Sequence, residues 1–484
     1  MGVMSINNLS EKAIVRIWQC QLLERDGLAT ADGEPLRIIY PGRLNDDRGA
    51  DFQAAVIVKG GRLLRGDVEI HVNSSGWHEH GHDMDAVYNR VVLHVVMWHD
   101  KGTATRLQNG REVPVLALER YVTIPVSQCP DSVSSSAVLN LPCISVALLL
   151  STNQVAEILD RQGEERFLVK AAGFKKDIAR MEASQTLYEG IMGALGYSRN
   201  KLPFLELARL LPLRCLESVT AGDVAEADGA GSQTVGEVSD ANNRVSEAEW
   251  LARRQALLLG TSGLLFPQRQ GGCSGNVVDE RTDQLVRLRA SSRHNKAMSP
   301  DDWHLLRVRP NNSPAIRLVA MSCLLLRYRE KGWLEGLVGL VREAPLSKGG
   351  YKSLEAGLEV NIDNPLARCA GYQTAGRVSR LTLLGRGRAA DIIVNVLLPF
   401  TFAWSKSAEP ELGGKALGLY CCYPKLIVNS VERHMIEQLG LDSSLISSAR
   451  RQQGLMHIYK NLCTLGRCKH CPLAKKTQRD AIRK

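Results

Sequence analysis

The amino-acid pattern predicts an N-terminal α/β or α+β domain, a small mixed sheet with a helix ahead of it, followed by a mainly α-helical region. Three observations predict it. Apolar residues recur at helical spacing over residues 11–24. Short runs rich in β-branched residues then follow one another up to about residue 125, broken by Gly, Asn and Asp. From about Ser151 the apolar period becomes helical and stays so to about Tyr459.

In the first helix Ala13, Ile14, Ile17, Trp18 and Leu22 share one face, and Asn8 or Ser10 is placed to cap it. The strand-like runs are Leu36–Ile39, Ala54–Val58, Leu63–Val72, Arg90–Trp98 and Val113–Leu118. Gly60-Gly61 joins two of them as a hairpin turn, because two consecutive glycines accept the positive φ angles such turns require. Residues 1–125 therefore read as one domain and 126–217 as a helical region that includes Ser184–Leu195 and Pro203–Leu211. Residues 218–247 are small, acidic and nearly free of large apolar side chains, so they are expected to form a disordered linker. A helical domain over 248–460 and a basic tail over 461–484 complete the chain. Within the helical domain Ser313 and Pro314 suit the N-cap and first position of a helix. Arg307, Arg309 and Arg317 near that start suit either phosphate binding or bridging between helices.

A length of 484 residues implies two or three cores. The longest apolar runs, such as Ile392–Phe400, fall far short of the ~20 residues that span a bilayer, and Met1–Ser10 is polar. A cytoplasmic protein without a membrane partner is expected. There the 12 cysteines would be thiols or metal ligands rather than disulfides. The net charge of +10 is uneven: residues 450–484 hold ten basic residues against Asp480, a concentration that favours DNA or RNA by counterion release. Walker-A, GxSxG and HExxH patterns do not occur, so neither ATP-driven work nor serine hydrolysis is supported.

The stretch from Pro41 to Asp100 carries the most chemistry. Asp51 opens one strand, and the chain returns after Gly60-Gly61 with Glu69 and His71 on the next. Side chains two apart on a strand share a face, so Glu69 and His71 project together while Val68, Ile70 and Val72 face the core. The hairpin brings Asp51 beside Glu69. Two carboxylates meeting there can hold a hard divalent cation, Mg or Mn, and a water nucleophile. Six of the 11 histidines cluster here: His71, His78, His80, His82, His94 and His99. His80 and His82 are placed to contact phosphate or metal-bound water, with a zinc site using His78, His80 or His82 as the alternative, and His94 is placed either to face the same cleft or to sit as a satisfied core histidine.

This arrangement resembles the PD-(D/E)xK nuclease superfamily, in which an Asp at a strand start and a Glu-x-Lys on the next strand bind magnesium and cut phosphodiesters. The resemblance implies a restriction-endonuclease-like fold, with Asp51 and Glu69 as metal ligands. The position usually held by Lys is His71, which would orient or deprotonate water. The segments GADF, GDVEIH, WHEHGHD and YNRVVLHVV, with LYEGIMGALGYSRNK, RVRPNNSPAIRL and ARRQQGLMHIYKNLC, also resemble an uncharacterised bacterial family classed as a domain of unknown function.

Near the C-terminus Cys463, Cys468 and Cys471 form C-x4-C-x2-C-P, a spacing suited to Zn or an iron–sulfur cluster. The fourth ligand is open among His470, His457, Cys421 and Cys422. Flanking Arg450, Arg451, Arg467 and Lys469 suit phosphate-backbone contact and are expected to lower the thiol pKa values, with docking of the C-terminal helix as an equal alternative for Arg450 and Arg451. The residues thus point to a metal-dependent nuclease-like protein that acts on or binds nucleic acid. The alternative is a catalytically degenerate nucleic-acid-binding or scaffold protein.

Overall fold

A computed structural model describes residues 10–474 apart from 25, 101, 103–104, 123–142, 144–145, 147–148, 218–245, 266–279, 293, 306–307, 309–311, 348 and 364–379. The chain divides into two compact units, one of residues 1–166 with 427–484 and one of 167–426.

In the first unit the helix Glu11–Cys20 precedes β1 (Leu36–Tyr40), β2 (Arg43–Leu44), β3 (Phe52–Lys59), β4 (Arg62–Asn73), β5 (Val91–Trp98), β6 (Thr105–Arg106), β7 (Glu112–Val113) and β8 (Val115–Ala117). The main sheet runs β1-β3-β4-β5-β8, with β2 also on β3. It is mixed: β1, β3 and β4 pair antiparallel, whereas β4, β5 and β8 run parallel. The β3–β4 hairpin turns at Gly60 (φ 51°) and Gly61 (φ 79°), as the two-residue turn requires. The helix ends at Cys20, short of the predicted 24. Gln21 adopts φ 53° and its side-chain amide donates to the Trp18 carbonyl at 2.6 Å, which stops the helical ladder.

Each face of the sheet builds a core. On one, Ile14, Ile17 and Trp18 pack against Phe52, Ala55, Ile57, Val68, Ile70, Leu93 and Val95. On the other, Tyr40 and Val56 meet residues of three helices: Val155 and Leu159 of Thr152–Ile178, Met435 and Leu439 of Ser430–Leu439, and Leu455 and Ile458 of Ala449–Asn461. Two glycines let the first and last of these helices touch backbone to backbone. A Cβ on Gly163 would lie 2.1 Å from the Arg450 carbonyl oxygen, and one on Gly454 would lie 2.1 Å from that of Leu159. The last helices therefore belong with the N-terminal sheet. This differs from the linear division into a helical domain at 248–460 and a separate tail at 461–484.

The second unit is mostly helical, with helices that include Ala183–Leu195, Lys201–Leu210, Glu247–Thr261, Pro314–Arg327 and Pro410–Cys422. It also holds an antiparallel pair, Val360–Asp363 with Arg380–Leu384, that the helical pattern does not announce. Ser313 and Pro314 begin their helix as expected. Arg317 donates to the Leu383 carbonyl at 2.6 Å and to Asn312 Oδ1 at 2.7 Å, so it bridges elements and is not free for phosphate. Arg307, Arg309 and residues 218–245 of the expected 218–247 linker lie outside the described residues, while Ser246 and Glu247 cap and open the helix Glu247–Thr261. Among the described residues no helix is long and apolar enough to cross a membrane.

Candidate metal centre

Strand register brings the carboxylates together. Phe52 pairs with Val68 across the hairpin, so Asp51 and Glu69 stand one step beyond that pair. The Asp51 amide donates to Glu69 Oε2 at 3.0 Å, and the Ile70 amide donates to Asp51 Oδ2 at 3.0 Å. Each acid is thus held by the other's strand. The ladder is irregular between Phe52 and Ala55, where Ala54 takes φ 59° and its amide donates to Asp67 Oδ1. Bulges of this kind commonly re-aim side chains beside active sites.

Val68 and Ile70 face the first core, and Glu69 and His71 take the opposite face, as strand alternation dictates. Both are nonetheless buried, at 6% and 2% exposure. The parallel pairing of β4 with β5 sets His94 beside Glu69. A chain of hydrogen-bonded groups results: Thr105 Oγ1 to His94 Nδ1 at 2.8 Å, His94 Nε2 to His71 Nδ1 at 2.9 Å, and His71 Nε2 to His80 Nδ1 at 3.1 Å. His71 is therefore engaged through both ring nitrogens, whereas His80 is exposed at the outer end of the chain. His82 Nε2 lies 3.1 Å from Glu69 Oε1 in a direction that makes no hydrogen bond, and this buried nitrogen has no other partner. The His82 ring stacks on Tyr88 with centroids 3.9 Å apart and packs edge-on to Trp77.

Ligand atoms of His71, His80 and His82 all lie within 4.8 Å of one another. Three imidazoles converging beside two carboxylates form a mixed nitrogen and oxygen donor set, which suits Mn or Zn better than Mg. Electrostatics point the same way. Burial, then the charge of Glu69, holds the Asp51 carboxyl well above the usual range, and burial does the same to Glu69. Burial, reinforced by His82 and His80, pushes His71 down to about 3, and His94 is lowered by burial and by His71. Neutral imidazoles cannot balance two buried acids, and the main charges acting on them among the described residues include no Lys or Arg, so a cation fits there.

Glu11 joins the site without any signal in the sequence. Its Oε1 lies 4.0 Å from His71 Nε2, at the first turn of a helix whose pattern indicates only packing. Gly76, in the turn of helix Gly76–Glu79, is also silent in sequence. A Cβ there would lie 2.9 Å from His71 Cδ2. A Gly76→Ala variant should keep its fold and bind Mn²⁺ about 10- to 100-fold more weakly by calorimetry, the usual effect of disturbing a ligand's support. Unchanged affinity would show that the position of His71 is immaterial.

At the C-terminal end Cys463 and Cys471 are buried in the second core, with Cys468 half-buried. All three thiols are held above their ordinary pKa, first by burial, so the expected lowering by basic neighbours is corrected. Arg467 and Lys469 are exposed. Arg450 pairs with Glu164 at 2.7 Å and Asp160 at 3.2 Å, and Arg451 pairs with Asp160 at 3.2 Å. These two arginines dock the last long helix onto Thr152–Ile178.

No curated protein and no solved structure matches the chain. A family model described as a protein of unknown function (DUF2851) matches residues 11–225 and 241–421. The match takes in Glu11, Asp51, Glu69 and the six clustered histidines and stops short of Cys463–Cys471. The chain belongs to the DUF2851 family.

Proposed function

We propose that this site binds a divalent cation and hydrolyses phosphodiester bonds of DNA or RNA. The observation that carries the reading is the pair of buried acids, Asp51 and Glu69, interlocked across the hairpin with His82 Nε2 turned toward Glu69 and left without a hydrogen bond. Asp51, Glu69 and His82 are the groups that would hold the cation, with His80 beside them. A bound cation would neutralise phosphate charge and lower the pKa of water. His71 serves as a positioning residue, since both of its ring nitrogens are already used. It fixes the tautomer of His80, and His80, the exposed imidazole of the chain, is the group able to exchange a proton with solvent. The exposed Arg467 and Lys469, with the overall charge of +10, would attract a polyanion.

The test is cleavage of single- and double-stranded DNA and of RNA by the purified chain with Mg²⁺ or Mn²⁺. Cation-dependent cleavage of at least one substrate, abolished by chelator and by Asp51→Asn, is expected. Cation-dependent binding with no cleavage of any substrate would overturn the hydrolytic reading and leave a non-catalytic nucleic-acid-binding protein. Equal activity in Asp51→Asn would remove the site from the chemistry.

A further inference from the structure

We propose that Cys143, Cys463, Cys468 and Cys471 together form a four-thiolate site that holds an iron–sulfur cluster. Cys143 stands 320 residues before Cys463 and has no local motif around it, so spacing alone never pairs them. The fold does. Cys143 packs against the same core that buries Cys463, Cys471 and Leu473. Its sulfur also accepts a hydrogen bond from Gln438 Nε2 at 3.7 Å. The four sulfurs lie within electrostatic reach of one another: Cys463 feels Cys143, Cys471 and Cys468, and Cys143 feels Cys471 and Cys468.

The two histidine candidates for a fourth ligand are otherwise placed. His470 is exposed, and His457 faces Glu165 at 3.8 Å. Four thiolates, one for each iron, are the usual complement of a cubane cluster. Ligand spacing differs between such a cubane and a zinc site. Tetrahedral zinc thiolates at about 2.3 Å set sulfurs roughly 3.8 Å apart. Thiolates on separate irons stand farther apart, and an amide donor to sulfur, as from Gln438, is the kind of contact that tunes such clusters.

The site also answers a structural need. Between Cys463 and His470 the chain makes two short 3-10 turns. It is seated by Arg65 donating to the Leu465 carbonyl at 3.1 Å and by Gly466 lying against Val56. A cluster would staple this terminal loop to the segment before Thr152 and to the sheet behind it.

The full chain, purified without air, should be brown and carry iron and acid-labile sulfide at about four each per chain. Cys143→Ser should lose its iron as completely as Cys468→Ser does, while Cys323→Ser keeps it. Should Cys143→Ser fail to fold, labelling of the unaltered protein decides. Cys143, Cys463, Cys468 and Cys471 should resist maleimide until the iron is stripped, with the exposed Cys422 labelled throughout. Zinc in place of iron, iron retained in folded Cys143→Ser, or Cys143 labelled in the iron-loaded protein would overturn the proposal.

Discussion

An Asp51→Asn, Glu69→Gln double variant, free of metal, should be more stable than the unaltered protein at pH 8 and no more stable near pH 4. Both carboxyls are held above their ordinary range in the folded chain, chiefly by burial. As pH rises from about 4 the unfolded chain releases these protons first, so the folded state binds more protons and stability falls. The loss accrues until both acids have ionised in the folded state, at up to about 1.4 kcal/mol per pH unit for each. Amides keep an oxygen for the Ile70 and Asp51 amide hydrogens and never ionise. The melting-temperature difference between variant and parent should therefore grow across about pH 5 to 8. Excess Mn²⁺ should raise the parent's melting point, by about 2.7 kcal/mol of stability at about 100 times Kd, and leave the variant's unmoved. A constant difference across pH would mean that these acids are solvated.

Gly454→Leu should cost the sheet-bearing unit about 3 kcal/mol or more, read as a lowered urea midpoint. Leucine favours a helix over glycine by about 1 kcal/mol, so any loss reflects the contact rather than propensity. A Cβ there would meet the Leu159 carbonyl oxygen at 2.1 Å, and no flexible side-chain end can yield. The helices must part, and the reciprocal approach of Gly163 to the Arg450 carbonyl would open with them. An unchanged midpoint would show that the two helices do not pack in solution as they do here.

What the sequence discloses about this protein is what is encoded locally. Gly60-Gly61 specifies a tight turn, the turn specifies register, and register carries Asp51 to Glu69 and sets Glu69 and His71 on one face. The histidine cluster is visible in the same way, although its division of labour is not. The sequence pattern assigns His71 to act on water, yet two neighbouring imidazoles already occupy its nitrogens, a fact that depends on β5 and the turn after β4. Long-range associations leave no local trace. An apolar period shows that Ser430–Leu439 and Ala449–Asn461 each bury a face, and it cannot say that the partner is a sheet at the other end of the chain. Glu11 and Cys143 are hidden for the same reason: each is an ordinary residue until tertiary structure sets it beside His71 or Cys463. The 360–384 strand pair escapes because its strands are short and separated by 16 residues outside the described structure.

The most direct test of the metal centre is a manganese anomalous-scattering map from crystals grown with Mn²⁺. One strong peak is expected at coordination distance, roughly 2.2 Å, from carboxylate oxygens of Asp51 and Glu69 and from a ring nitrogen of His82 or His80. A map with no peak there, and the two acids still held by the Asp51 and Ile70 amides, would contradict it.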